Sequence, residues 1–187
     1  KLSPKFSYLN FTYPDIIEAG AATLDKKIAD FAAEHSLTGL EFLTCIPGSI
    51  GGAIGMNSGC YDGDISKILH SVKVVDLHGK EKVILASDIK FHYRGSNLDY
   101  NLIITSVKLR GKPYLKEDIK KKQLALIERK KNSQPSKIKT CGSTFKNTKN
   151  KKAWELIKES NCQNLQVGNA KISDKHCNFF VNDGKAT

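Results

Sequence analysis

Six glycines fall within the sixteen residues from Gly48 to Gly63, inside and just after the run Ile46-Pro-Gly-Ser-Ile-Gly-Gly-Ala-Ile-Gly-Met-Asn-Ser-Gly59. The chain has 14 glycines in 187 residues, so nearly half stand in this one segment and constrain its backbone more than any other feature. A residue without Cβ takes positive φ freely and lets successive N–H groups line a concave anion site. Pro47 presets φ just before the first glycine, which suits a tight entry into a helix N-terminus, where a phosphate binds well. No Gly-Lys-Ser/Thr follows, so this is not a Walker loop, and the spacing departs from the dinucleotide fingerprint that follows a strand. The pattern reads as a cradle for a diphosphate or a flavin. The alternative is a loop whose glycines only permit dense packing.

A chain of this length holds one substantial domain, or one domain and part of another. Its 40% apolar and 26% charged residues are those of a globular protein, and no apolar run approaches the roughly 20 residues that span a bilayer. The N-terminus lacks the apolar stretch of a signal peptide. The first residue is Lys1 and the single methionine is Met56, so the expectation is a fragment of a longer protein. Five cysteines (Cys45, Cys60, Cys141, Cys162 and Cys177) form no Cys-x-x-Cys pair and have no histidine at ligand spacing. Free thiols in a reducing cytoplasm, with no metal site, are the expectation.

The net charge of +11 is unevenly placed. Residues 108–152 hold 16 basic residues against three acids, a local +13, while the remainder holds 14 against 16. Such a stretch serves nucleic acid, a membrane surface or a phosphorylated small substrate. Only three of the 30 basic residues are arginines, and no aromatics interleave with the lysines from 116 to 139 to stack bases. A solvated lysine face and a neighbouring nucleotide-diphosphate substrate stay open as readings; nucleic acid and membrane partners are not expected.

Along the chain, a short strand over 16–21 precedes a helix whose Leu24, Ile28, Phe31 and Ala32 share one face, with Thr23 as N-cap and Gly39 as terminator. The glycine segment opens a short helix near 49–58. His78-Gly79 marks a hairpin between Val72–Val74 and Val83–Leu85, and 102–109 is another strand. Residues 116–131 read as a lysine-rich helix with Ile119, Leu124 and Ile127 inward. Composition changes at Pro135, which sets a boundary between domains 1–135 and 136–187. The second contains a loop at 139–147, a helix at 151–160 and a strand at 178–181.

Two segments carry candidate chemistry. Tyr93-Arg94-Gly-Ser96 lies between a strand end and a loop, and the planar, permanently charged fork of Arg94 suits a carboxylate or a developing enolate. Its alternative is a surface arginine that ties down a loop. Cys141-Gly-Ser143-Thr-Phe-Lys-Asn147 offers a hydroxyl, an ammonium and an amide. Ser143 has no histidine partner and no Gly-x-Ser-x-Gly elbow, so it reads as a proton donor rather than an acyl nucleophile, or else as part of a Ser/Thr turn. His176 reads as structural.

Taken in order, these segments resemble the UDP-N-acetylenolpyruvoylglucosamine reductases of bacterial peptidoglycan synthesis. The resemblance runs from Gly39-Leu-Glu-Phe-Leu through Ile46–Gly52, Met56-Asn-Ser-Gly and Tyr93–Ser96 to Gln134-Pro135, Cys141–Asn147, Ala153–Ile157 and Gly168–Phe179. It implies an α+β protein: a flavin-binding fold of the kind shared with vanillyl-alcohol oxidase, plus a smaller α+β substrate-binding domain. It also implies a cytoplasmic enzyme with non-covalent FAD, NADPH as hydride donor, and UDP-N-acetylglucosamine enolpyruvate as substrate. By the same resemblance Ile46, Pro47, Gly48, Ser49, Gly51, Gly52, Asn57 and Ser58 would hold FAD. Arg94 would grip the substrate carboxylate, Ser143 would protonate C2, and Lys131 and Asn147 would reach the UDP-sugar. The family's first flavin subdomain and its C-terminal tail, with a glutamate partner for the serine and arginine, are missing from this stretch. Cys45 and Thr148 stand where the family pattern has glycine and proline. Other flavin oxidoreductases of the same fold, a non-catalytic fragment and a basic binding module are the competing readings, and oligomeric state stays open.

Overall fold

The computed structural model describes residues 2–135 and 139–186, so the expected start of the second domain at 136 lies outside the described residues. The chain divides into two compact units, Lys1–Ile127 and Glu128–Thr187.

In the first unit, β1 (Leu9–Thr12), β2 (Ile16–Gly20), α1 (Asp25–Glu34) and β3 (Leu37–Thr38) come first. A 3-10 turn over Glu41–Cys45 leads through the glycine loop into α2 (Ile50–Gly55), followed by the short strands β4 (Gly59–Cys60) and β5 (Gly63–Asp64). The hairpin β6 (Leu69–Val75) and β7 (Glu81–Leu85) turns through Asp76–Lys80, where the Asp76 carboxylate accepts from the His78 and Lys80 N–H groups at 2.9 Å each. The turn pair β8 (Phe91–His92) and β9 (Gly95–Ser96), then β10 (Ile103–Arg110), β11 (Lys112–Pro113) and the start of α3 (Lys116–Ser133) complete this stretch, the helix from Glu128 onward belonging to the second unit. Five strands make one antiparallel sheet in the order β1-β2-β10-β6-β7.

One face of that sheet is apolar because the strands alternate: Ile17, Ala19, Val72, Val74, Val107 and Leu109 are buried. Ile28, Ala29 and Ala32 of α1 and Ile50, Ala53 and Ile54 of α2 complete the same core, which fixes the glycine segment over the sheet.

Three local expectations are corrected. Thr23 does not cap α1; its hydroxyl donates to the Tyr8 carbonyl at 3.0 Å, and Leu24 occupies the cap position without a side-chain bond. Gly39, at φ +102°, ends β3 rather than α1, which has already stopped at Glu34 with Ser36 in the left-handed region. On α3 the buried residues are Ile119 and Gln123, while Leu124 is 67% exposed. A helix turns about 100° per residue, so the position four beyond Ile119 keeps its face and the fifth leaves it.

In the second unit, β12 (Thr140–Ser143), α4 (Ala153–Glu159), β13 (Gln166–Val167), β14 (Ala170–Ser173) and β15 (His176–Asn182) follow. The strands form an antiparallel sheet in the order β12-β15-β14-β13, with α4 against β15. Ala153, Ile172, Cys177, Phe179 and Val181 are its buried apolar residues.

Candidate functional site

The six glycines of the run do different work. At Gly59 a Cβ would stand 2.8 Å from the Gly63 carbonyl oxygen, and at Gly63 it would meet the Phe42 ring. At Gly51 it would lie 3.0 Å from Ala21 Cβ and 3.1 Å from the Ala21 oxygen. These positions are small because the protein packs on them. A Cβ at Gly52 or Gly55 meets nothing within 4 Å, and both residues are exposed, one helical turn apart on α2. This face of α2 is the part of the run that the described residues leave uncovered. A flat ring or a diphosphate fits such a side-chain-free surface, which is the property a dinucleotide cradle needs.

The start of α2 is partly committed to the fold. The Ile50 and Gly51 N–H groups donate to the Thr23 and Ala21 carbonyls at 3.0 Å each, and the Ser49 hydroxyl makes no cap bond. Phosphate binding by the full first turn, as the proline–glycine entry suggests, is therefore reduced to the remaining donors of the loop. Ile46 is half-buried against the core, and Cys45 is buried without positive φ, so a side chain is accommodated there.

Asp25 lies beneath this loop. Its N–H donates to the Gly48 carbonyl at 3.0 Å, and Leu24 forms an isolated bridge with Ser49. The carboxyl is fully buried, and burial alone pushes it up to about 7.

The Arg94 turn is tied to the far end of α2. Asn57 Nδ2 donates to the His92 carbonyl at 3.4 Å, and the Ser96 hydroxyl donates to the Gly55 carbonyl at 3.5 Å. Asn57 Oδ1 accepts the Ser66 N–H at 3.0 Å, so one amide joins three segments. The Ser58 N–H donates to Ala53 O at 2.8 Å and closes the helix end. Arg94 occupies the left-handed region at φ +57°, as does Asn57 at +42°. A non-glycine residue there is strained, and such residues cluster at functional turns. Gly95 has no Cβ because the His92 imidazole fills that space. Within the first unit, then, the bonds from Asn57 and Ser96 join the turn that carries Arg94 to the end of α2.

In the second unit, Ser143 ends β12 opposite Phe179 of β15, after a register shift at Gly142, whose φ is +83°. The loop beyond it is clamped by the buried Asn178, which accepts from the Phe145 N–H at 2.9 Å and donates to the Phe145 carbonyl at 3.0 Å. Asn147 Oδ1 accepts the Ala153 N–H at 2.9 Å and so holds the start of α4. Thr148 makes a turn with Lys151 that uses its own N–H and hydroxyl, a bond that proline cannot form. Lys131 is exposed on the last turn of α3, and its carbonyl accepts from the Lys175 ammonium. His176 accepts the Asn178 N–H at 3.2 Å, and burial holds its pKa below the ordinary value.

Sequence reading passed over a cavity of about 250 Å³ in this unit, lined by Trp154, Lys158, Gln163, Asn164, Lys175 and His176 among others. Gln163 Oε1 is buried there with no partner among the described residues. No motif announces it, because its walls come from α4, the following loop and the β14–β15 turn. The lysines of α3 are in part matched by acids: Lys116 and Lys120 pair with Glu34, and Lys122 with Glu41. Among the described residues there is no cluster of metal ligands, and no helix is long and apolar enough to cross a membrane.

Comparison with known proteins adds to this geometry. Residues 12–84 match the FAD binding domain family, and residues 134–187 match the C-terminal domain of UDP-N-acetylenolpyruvoylglucosamine reductase. The reductase of that name from Pelagibacter ubique is 44% identical over the whole of this chain, which covers 63% of the relative. The one from Anaplasma marginale is 42% identical over the whole chain, covering 62% of it. The crystal structure of UDP-N-acetylenolpyruvylglucosamine reductase from Thermus caldophilus superposes on 97% of this chain and 66% of its own, with a TM-score of 0.87 and 35% identity. The chain thus spans just under two thirds of the length of these relatives.

Proposed function

The chain belongs to the UDP-N-acetylenolpyruvoylglucosamine reductase family, and on that premise we propose that the intact protein is a cytoplasmic enzyme that reduces UDP-N-acetylglucosamine enolpyruvate to UDP-N-acetylmuramate for peptidoglycan. When bound, FAD would supply the hydride chemistry, with NADPH as the donor and C3 of the enolpyruvyl ether as the acceptor. The matched FAD-binding stretch contains the loop of Ile46, Pro47, Gly48, Ser49, Gly51 and Gly52, with Asn57 and Ser58 beyond it. These residues hold the cofactor, and the open α2 face lets it approach the backbone.

Arg94 grips the substrate carboxylate. Its guanidinium keeps its charge at every working pH and offers two parallel N–H donors, which also stabilise the enolate-like charge that develops as C3 accepts hydride. Ser143 delivers the proton to C2, so that one hydride and one proton together saturate the double bond. A serine hydroxyl is a weak acid, so neighbouring donors must stabilise the alkoxide left behind. Residues 1–135 act as the flavin domain and 136–187 as the substrate domain; Asn147 and the cavity beside Trp154 in the latter, with Lys131 from the end of the former, take the UDP-sugar. Trp154, Lys158 and the His176 ring give that cavity an aromatic wall and polar groups of the kind a nucleotide site needs.

The observation that carries this reading is the pair of hydrogen bonds from Asn57 and Ser96, which lock the Arg94 turn to the helix whose glycines are open. The test is a split of the two half-reactions in the intact protein. Ser143→Ala is expected to leave flavin reduction by NADPH at the wild-type rate and to abolish product formation. A Ser143→Ala enzyme that forms product normally would remove the proton-donor role, and NADPH oxidation indifferent to the enolpyruvyl substrate would remove the reductase reading.

A further inference from the structure

The Asp25 carboxyl is 0% exposed, and neither of its oxygens has a hydrogen-bond partner among the described residues. An unpaired buried carboxylate costs several kcal/mol, so such a group takes up a proton or draws in donors. Charged neighbours are sparse. The segments against it, residues 20–24, 46–49 and 50–55, contain no ionisable side chain. The 3-10 turn packed on α1 carries Glu41, which already accepts from the Thr38 hydroxyl and the Gly39 N–H and faces Lys122. On α1 itself are Lys26, Lys27, Asp30 and Glu34, the last paired with Lys116 and Lys120.

The carboxyl also touches the loop. A Cβ on Gly48 would stand 3.3 Å from Asp25 Oδ2, so this glycine lies directly over the acid. If Asp25 ionises, it draws the N–H donors of the adjoining loop, Gly48 and Ser49, toward Oδ2, at the cost of the bond from its own N–H to the Gly48 carbonyl. Those same groups are among the donors left to an anionic ligand once Ile50 and Gly51 are committed to Thr23 and Ala21. Two anions then compete for one short run of backbone.

We propose that Asp25 is a positioning residue of the cofactor loop: neutral, it leaves the Gly48 and Ser49 donors to the dinucleotide; charged, it competes for them, so that cofactor binding carries a proton with it. This deepens the reading of Ile46–Gly52 as the FAD cradle and rests on it. The carboxyl sits near neutrality, pushed up to about 7 by burial, so the competition falls in the working range of pH.

The experiment is FAD titration of the intact protein, followed by quenching of flavin fluorescence from about pH 6 to about pH 8.5, a range in which the FAD diphosphate keeps its charge. Wild-type Kd is expected to rise by about tenfold per pH unit above about 7, and Asp25→Asn to keep the low-pH affinity throughout. Calorimetry in two buffers of different ionisation enthalpy should show net proton uptake on binding by the wild type and none by Asp25→Asn. A flat wild-type curve, no proton uptake, or an Asp25→Asn curve parallel to wild type would overturn the proposal. If Asp25→Asn does not fold, the wild-type calorimetry decides alone. Gly52→Val separates the underlying reading: it should weaken FAD at every pH. Unchanged FAD affinity in Gly52→Val removes the cradle itself, whereas weakened affinity with no proton linkage removes only the role of Asp25.

Discussion

Arg94 combines a left-handed backbone with a side chain whose value lies in its shape, and this makes the choice of residue testable. Lysine keeps the charge but replaces a planar fork with a compact ammonium that cannot donate two parallel bonds to a carboxylate. Arg94→Lys is expected to lower kcat of the substrate-reducing half-reaction by at least about tenfold, the effect of about 1.4 kcal/mol, while flavin reduction by NADPH is unchanged. Stopped-flow absorbance of the two halves reads both, and unchanged turnover would make the arginine a brace for its turn. Residue chemistry of this kind was visible in the sequence, because a rare arginine before a glycine stands out in a chain that otherwise uses lysine. The partner amide was less visible as such: Asn57 stood out as a candidate ligand contact, yet its hydrogen bonds to His92 and Ser66 span 35 and nine positions. Long-range closure of that sort leaves no local pattern.

At the scale of elements, α2 is a six-residue helix carrying three glycines, of which Gly51 packs on Ala21 while Gly52 and Gly55 are open. Gly51→Ala adds a Cβ at 3.0 Å from Ala21 Cβ and 3.1 Å from its carbonyl oxygen, so overpacking should destabilise the fold by about 1–3 kcal/mol. Gly52→Ala adds a Cβ into open space and gains helix propensity, worth up to about 1 kcal/mol. Urea unfolding should therefore move in opposite directions for two adjacent glycines. Equal losses at both would show that the open face is closed in solution. The density of glycine marked the segment correctly as a place of close approach, but composition does not say what approaches. At Gly59 and Gly63 the answer is Phe42 and the neighbouring strand. The same limit explains α3, a lysine-rich, weakly amphipathic stretch where the expected inward stripe of Ile119, Leu124 and Ile127 gives way to burial through Ile119 and Gln123. The hairpin of β6 and β7 around His78-Gly79 was legible from its β-branched runs, although β6 begins three residues before Val72 and the expected loop at 139–147 contains β12.

At the scale of the molecule, two acids set opposite pH responses in separate windows. The Asp25 carboxyl lies near 3.8 when unfolded and about 7 in the native chain, so between those values the native state holds a proton that the unfolded state has lost. Stability from this group is present below about 4, falls as pH rises through the window and levels off above about 7, with a ceiling of roughly 4 kcal/mol. Glu34 behaves in the opposite sense. Lys116 and Lys120 hold it down at about 2, against 4.5 when unfolded, so its contribution is lost as pH falls through that lower range. Denaturant midpoints across pH should show a stability decline from about 4 to about 7 that Asp25→Asn abolishes, leaving the acid limb unchanged. A wild-type midpoint that does not fall across the upper window would show that Asp25 finds a partner in solution.

The position of β7 at the end of the five-stranded order has a colloidal consequence. Among the described residues its outer side pairs with no other strand, and Val83 and Leu85 are 63% and 49% exposed along it. A free border with apolar side chains is a template for self-association into stacked strands. Lys80, Glu81 and Lys82 stand at its start, Glu81 paired with Lys73, and charges in that place oppose strand addition, so neutralising them is expected to promote self-association, read by light scattering.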